Sequence, residues 1–280
     1  MKKGHHVQEN VATPLPEADA LRVRAEPTST FRRIVRKVRR VANDEGLRGV
    51  LAESAVFGYR KARVLLPSSA TLKYAGVDVA VWRKPTDRFF QRYDQRYGDQ
   101  PGYEAALVAG LRHNVRAGDS VVVIGGGWGV TAVIAATLTG PNGKVHCIEG
   151  SAEGVAKVRD TARRNTIGAE LTVEHAVVGE VHNVYGAMPD CPPLAPGALP
   201  ECDVMELDCE GAELMILTQM TIRPRVILVE THGVFGATTA LVQQALERLD
   251  YQVTHLGVAE PRVTEYCRVN DIHVLEATRR

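Results

Sequence analysis

Two stretches of this 280-residue chain carry the residue types with the most chemistry. One runs from Asp203 through Glu206, Asp208 and Glu210 to Glu213; the other is an apolar run from Val226 that ends at Glu230, Thr231 and His232. Each reads as a buried strand running out into polar residues. In an open α/β sheet, ligands lie beyond the carboxyl ends of the strands. Asp208, Glu210, Glu230 and His232 are therefore expected to converge there. Such a set suits proton transfer from a hydroxyl, with Asp208 and His232 as candidate bases and Glu210 as the next catalytic candidate. The plain alternative for His232 is a satisfied structural histidine at a strand end. Glu213 reads better as an acid in the first turn of a helix, favoured there by the helix dipole. Two carboxylates and a histidine also form a donor set for a divalent metal. Their spacing dictates no geometry, so no metal ligand is assigned and a metal is the less favoured reading.

A second constellation precedes these. Val121, Val122, Val123 and Ile124 run into Gly125, Gly126, Gly127, Trp128 and Gly129. A buried strand entering such a turn brings backbone and the amides of a following helix close to a ligand. The dinucleotide pattern G-x-G-x-x-G, started at Gly125, needs a glycine at position 130, which is Val130. The pattern that fits is G-x-G-x-G through Gly125, Gly127 and Gly129, with Gly126 between them, which suits a nucleoside without a pyrophosphate. Glu149 ends the next apolar run about twenty residues later, the separation one strand–helix–strand unit requires. A carboxylate there accepts both ribose hydroxyls.

The elements that must position these residues follow from periodicity. Strands are expected near 120–124, 144–149, 171–175, 203–208, 225–230, 252–256 and 271–275. Helices are expected over 104–115 and after the first, second, fourth and fifth of those strands. This alternation predicts a parallel-sheet α/β domain over 101–280. Residues 1–30, with Pro14, Pro16 and Pro27, read as a flexible lead. Residues 31–100 read as a helical extension and lid-like segment. In it Val77, Val79 and Val81 alternate as a strand or hairpin, and Tyr97 to Gly102 form a turn-rich loop. The proline-rich residues 188–200 read as an irregular loop that, with 85–104, walls an acceptor site.

Composition sets few further limits. Hydrophobic residues make up 45% and charged residues 24%, and the formal net charge is +1, the balance of an ordinary globular chain. Five cysteines at irregular spacing make a poor disulfide framework and read as reduced thiols in a cytosolic protein. The polar first ten residues do not read as a secretory signal. Residues 120–142 lack charge, but their glycines and Pro141 fit a strand, turn and helix better than a membrane span. Over 31–41, Phe31, Ile34, Val35, Val38 and Val41 recur at helical spacing among six basic residues. A solvated helix is the plain reading, and peripheral contact with an anionic membrane is the second. Nucleic acid is not favoured, because interleaved aromatics are sparse. Nothing in the sequence specifies an oligomeric state.

From about Tyr103 to Leu275 the chain resembles the FkbM-type methyltransferases. The resemblance rests on three segments: the glycine loop with Glu149; the run Val173, Glu174, His175, Ala176, Val177, Val178, Gly179; and the pair formed by 203–213 and 226–232. The family pattern for that pair is close to D-x-I-K-I-D-x-E-G-A-E and then a strand ending E-x-H. The resemblance implies a Rossmann-like class I methyltransferase fold, a mostly parallel seven-stranded sheet with helices on both faces. It implies S-adenosylmethionine as cofactor, bound by Gly125, Gly126, Gly127, Gly129, Glu149 and His175. It also implies O-methylation, here of a small-molecule or glycan acceptor. Val123 stands where the family has an acid, and Glu206 where it has a lysine. Two other readings remain: a non-catalytic, methyltransferase-like binding module, and a dinucleotide-dependent oxidoreductase, against which Val130 argues.

Overall fold

The computed structural model describes residues 46, 49–52, 54–68, 70–90, 97–179 and 191–280. The expected lead and the basic segment 31–41 lie outside the described residues. The chain divides into two units between Phe57 and Gly58. Residues 49–52 and 54–57 of the first unit are helical.

The second unit is built on a seven-stranded sheet. Its strands are β3 (Ser120–Ile124), β4 (Lys144–Glu149), β5 (Glu170–His175), β8 (Val204–Leu207), β9 (Val226–Glu230), β10 (Tyr251–Val258) and β11 (His273–Arg279), in the spatial order β10-β11-β9-β8-β3-β4-β5. The strands from β5 to β9 pair in parallel, and β11 runs antiparallel to both neighbours. The chain leaves β3 toward β4 and β5, then returns to β8 on the other side. The carboxyl ends of β3 and β8 thus form the crevice where ligands bind in such sheets.

Strand periodicity divides the core in two. Val121, Val123, Val204, Val226 and Leu228 face one side, with α1 (Ala105–Asn114), α2 (Val130–Thr139) and α3 (Ala152–Arg164). Val122, Ile124, Met205, Leu207, Ile227 and Val229 face the other, with α4 (Glu213–Gln219) and α5 (Thr239–Arg248). Side chains alternate across a strand, so each apolar run supplies both layers. A short helix, α6 (Thr264–Val269), lies between β10 and β11.

The expected hairpin is β1 (Ala70–Tyr74) with β2 (Val77–Arg83). Leu72, Val77 and Val79 join the α1–α3 core, and the amides of Asp78 and Ala80 donate to Asn165 and Thr161 on and just after α3. The hairpin thus covers one end of that layer. Two expectations change. The strand pair β6 (Val177–Val178) and β7 (Pro193–Leu194) forms where only a strand exit and an irregular loop are expected. Glu104 stands outside α1, with φ +44°. No helix among the described residues is long and apolar enough to cross a membrane.

Asp87 fastens the segment that follows the hairpin. Its carboxylate, 1% exposed, accepts from both Arg63 Nε and Nη2 at 2.7 Å, from Tyr59 Oη at 2.6 Å and from the Lys84 amide at 2.6 Å. Burial alone would raise its proton affinity, but these donors hold it below the ordinary carboxylate range. Asp87→Ala is expected to cost about 1.5–3 kcal/mol in denaturant unfolding, because it removes charge-assisted bonds while the partly exposed Arg63 keeps the Trp82 carbonyl. The depressed value also sets a sign. The contribution is complete above the unfolded-chain value of about 3.9 and is lost as pH falls through the lower folded value. The wild type should therefore lose stability more steeply than Asp87→Ala below about pH 4, and parallel pH curves would refute the linkage.

Candidate active site

At the carboxyl edge of the sheet lies a cleft of about 470 Å³. The glycine loop forms its floor, and three of the four glycines serve packing. A Cβ on Gly125 would lie 1.8 Å from the Asp208 carbonyl oxygen, on Gly126 2.7 Å from Val158, and on Gly129 2.9 Å from the Val158 backbone. Gly125 and Gly127 both line the cleft, but only at Gly127 would a Cβ find open space, its nearest neighbour being Tyr103 Oη at 4.0 Å.

Glu149 ends β4 beside this loop. One carboxylate oxygen accepts from the amides of Gly126 and Gly127 at 2.9 and 3.0 Å. The other accepts from the amide and hydroxyl of Ser151 at 2.8 and 3.0 Å. An ionised carboxylate offers about four acceptor positions, and protein donors fill them. Glu149 therefore holds the loop, and a ribose hydroxyl reaches it only by sharing or displacing one of these bonds. Ser151 Oγ also accepts from the Gly154 amide at 2.9 Å and so caps α3. Ile148, Ala176, Val177 and Val178 give the cleft an apolar wall suited to a nucleobase. His175 is not among the lining residues; it pairs with Glu149 across β4 and β5, and its buried Nε2 has no hydrogen-bond partner. On the far side, Trp128 lines the cleft with Lys157 Nζ 4.6 Å above its ring.

The opposite end is acidic. Glu104, Asp208 and Glu210 line it beside Tyr103. His232, 3% exposed, sits behind Asp208 outside the lining, as does Glu230. Its Nδ1 hydrogen-bonds Glu213 Oε1 at 2.7 Å. Its Nε2 faces Asp208 at 3.5 Å, Glu230 at 3.6 Å and Glu210 at 4.0 Å. The expected convergence of Asp208, Glu210, Glu230 and His232 is thus present. Glu213 opens α4 as expected, but its carboxylate also orients His232 and accepts from the Gly211 amide.

Burial, then the neighbouring carboxylates, raise this cluster: Asp208 to about 6, Glu104 to about 8, and Glu206 and Glu230 well above the ordinary range. Burial opposes a charged His232, yet Glu213 and Asp208 hold it up at about 9. Glu104 and Tyr103 escape the sequence patterns, since an acid before an apolar helix reads as an ordinary first-turn residue. The left-handed backbone at Glu104, a strained state that clusters at functional sites, carries no local signature.

A second cleft of about 370 Å³ shares Tyr103 and Trp128 with the first and adds Tyr74, Tyr97 and Gln100. Residues within the expected 85–104 wall thus line both. None of the described residues 191–200 lines either.

No family model and no curated protein sequence matches the chain. Solved structures do. A precorrin-6Y C5,15-methyltransferase from Geobacter metallireducens GS-15 aligns at TM-score 0.42 and 16% identity, over 63% of this chain and 87% of that one. An S-adenosylmethionine-dependent O-methyltransferase from Thermotoga maritima aligns at 0.42 and 14%, over 68% and 70%. Aeropyrum pernix fibrillarin, solved with natively bound S-adenosyl-L-methionine, aligns at 0.41 and 12%, over 62% and 76%.

The glycines make a test of the loop. Gly125→Ala is expected to cost at least about 3 kcal/mol, since a Cβ meets rigid backbone. Gly127→Ala should cost only about 1–2 kcal/mol, the penalty of a left-handed backbone at φ +50°. Equal losses in denaturant unfolding would refute the assignment of one glycine to packing and the other to the cleft.

Proposed function

We propose that the protein is an S-adenosylmethionine-dependent methyltransferase of the FkbM type that methylates a hydroxyl of a sugar, glycan or small metabolite. One observation carries the reading. A single cleft joins a nucleoside-shaped half, with Gly127 open, Glu149 at the ribose position and an apolar wall, to the acidic edge at Asp208 and Glu210. The residues present fit that cofactor: the wall takes the adenine, and the loop takes the ribose, with Glu149 sharing or giving up one of its four bonds. The carboxylates of the far end complement a sulfonium charge.

The bound cofactor supplies a methyl group already activated by its sulfonium; the acceptor oxygen forms the new bond to carbon, and the carbon–sulfur electron pair stays on sulfur. The chain then has two tasks, to align the acceptor and to take its proton. Tyr103 and Trp128, shared by both clefts, border the acceptor's approach. The proton passes to a carboxylate of the Asp208–Glu210 edge. His232, held by Glu213, positions Asp208 from behind.

Calorimetry with S-adenosylhomocysteine tests the cofactor half. Gly127→Val should lower affinity by more than about 100-fold while the protein stays folded, because the side chain fills the nucleoside's space. Glu149→Ala should lower it roughly ten- to a hundredfold, the loss of a charge-assisted hydrogen bond. It should also lower the melting temperature by several degrees, since the loop loses its anchor; Glu149→Gln should recover part of both. Unchanged affinity in folded Gly127→Val would refute the assigned loop.

A turnover assay with labelled S-adenosylmethionine and a metabolite or glycan pool tests the other half. Asp208→Asn should cut turnover by roughly 10²–10⁴-fold and change S-adenosylhomocysteine affinity less than about threefold. Wild-type turnover would remove Asp208 from the mechanism. Cofactor binding without turnover in the wild type would favour a binding module instead.

A further inference from the structure

We propose that Asp208, Glu230 and His232 hold a divalent cation of the manganese–magnesium class beside the cleft, which it reaches at Asp208, and that this cation receives the acceptor oxygen. The role of the cation rests on the methyl-transfer reading; its binding does not.

Geometry comes first. One donor atom from each of the three residues lies within 4.8 Å of the other two. Nε2 of His232 stands 3.5 Å from Asp208 Oδ1 and 3.6 Å from Glu230 Oε1. Around an octahedral cation with bonds of about 2.1–2.4 Å, adjacent donors lie roughly 3.0–3.4 Å apart. Shifts of a few tenths of an ångström would bring His232 to that spacing from each carboxylate. The strands hold those corners in register: Glu206 pairs with Leu228 across β8 and β9, which carries Asp208 opposite Glu230 on one face.

Two independent observations point to a cation here, which would take the place of the proton on His232. Glu206, 1% exposed, leaves Oε2 without a hydrogen bond. It precedes Asp208 by one pleat on the same face of β8, and Asp208 and Glu104 are its strongest charged neighbours. Second, the His232 ring is almost fully buried and turns its Nε2 toward three carboxylates, 3.5 Å from Asp208, 3.6 Å from Glu230 and 4.0 Å from Glu210. Glu213 holds Nδ1, the outer-shell partner that orients metal-binding histidines. Among the described residues, no Lys or Arg nitrogen lies within 4.0 Å of the Glu206, Asp208 or Glu230 carboxylates. Buried carboxylates in such numbers need a cation or protons. One imidazole with two carboxylates suits a first-row divalent ion better than calcium, which prefers oxygen alone.

In the proposed step the acceptor hydroxyl binds the cation, which lowers its proton affinity. Its proton passes to Glu210, outside the ligand set. The oxygen bonds to the methyl carbon, and the electron pair of the broken bond remains on sulfur.

The test uses the full-length protein stripped with a chelator and titrated with manganese(II) alone, free manganese being read by electron paramagnetic resonance. One site per chain is expected. Glu230→Gln and His232→Ala should each weaken it at least tenfold, and Glu213→Gln roughly ten- to a hundredfold. Glu265→Gln, a surface carboxylate on α6, should leave it unchanged. Circular dichroism and S-adenosylhomocysteine calorimetry on the same samples report folding and the cofactor site separately. Chelated wild type should lose turnover and regain it with manganese or magnesium. S-adenosylhomocysteine binding without manganese binding, or manganese binding indifferent to both Glu230→Gln and His232→Ala, would overturn the metal site and leave the methyltransferase reading intact. Manganese binding without S-adenosylhomocysteine binding would support the site and overturn that reading.

Discussion

Glu149 ties together the end of β4, the turn after β3 and the first turn of α3, and the cleft takes its shape from that junction. Four donors converge on its two oxygens, each worth about 1.5–3 kcal/mol as a bond to a charged group. The neighbouring residues are chosen to allow it. Gly126 brings its amide to the carboxylate at a place where a Cβ would stand 2.7 Å from Val158 and 2.8 Å from Cys147. Gly154 leaves room for the side chain itself, since a Cβ there would stand 2.4 Å from the carboxyl carbon. The glycine loop is as much the seat of a glutamate as the seat of a ligand.

The acidic edge follows from a second arrangement. Val123 and Glu206 are register partners across β3 and β8. They leave one buried carboxyl beneath Asp208, and burial holds its proton affinity well above the ordinary range. The acidic edge where the two strands end thus rests on a carboxyl that favours its neutral form.

Sequence patterning brought out what periodicity controls. The seven strands, the helix after each of the first two, and the strand ends bearing Asp208, Glu210, Glu230 and His232 all follow from apolar runs and their stops. The less legible features arise from tertiary contacts. Glu149 looks like a ribose acceptor by position, but its saturation by Gly126, Gly127 and Ser151 depends on three turns meeting. His175 shares a motif with the cleft wall, yet the wall is made by Ala176, Val177 and Val178. Glu104 comes to the acidic edge through a left-handed backbone state that no composition marks. The β6–β7 pair joins residues fifteen or so positions apart across a stretch with no strand periodicity.

Gly154 has one more consequence, for the mobility of the cleft. Glycine inside a helix costs about 1 kcal/mol relative to alanine, and here it occupies the first turn of α3, capped by Ser151. The same glutamate that stiffens the loop thus obliges the helix beside it to begin with its least helix-prone residue. Local opening draws on such weak turns. Amide exchange at 152–155 is then expected to outpace the middle of α3, and the ribose end of the cleft has a built-in place to yield when a ligand enters.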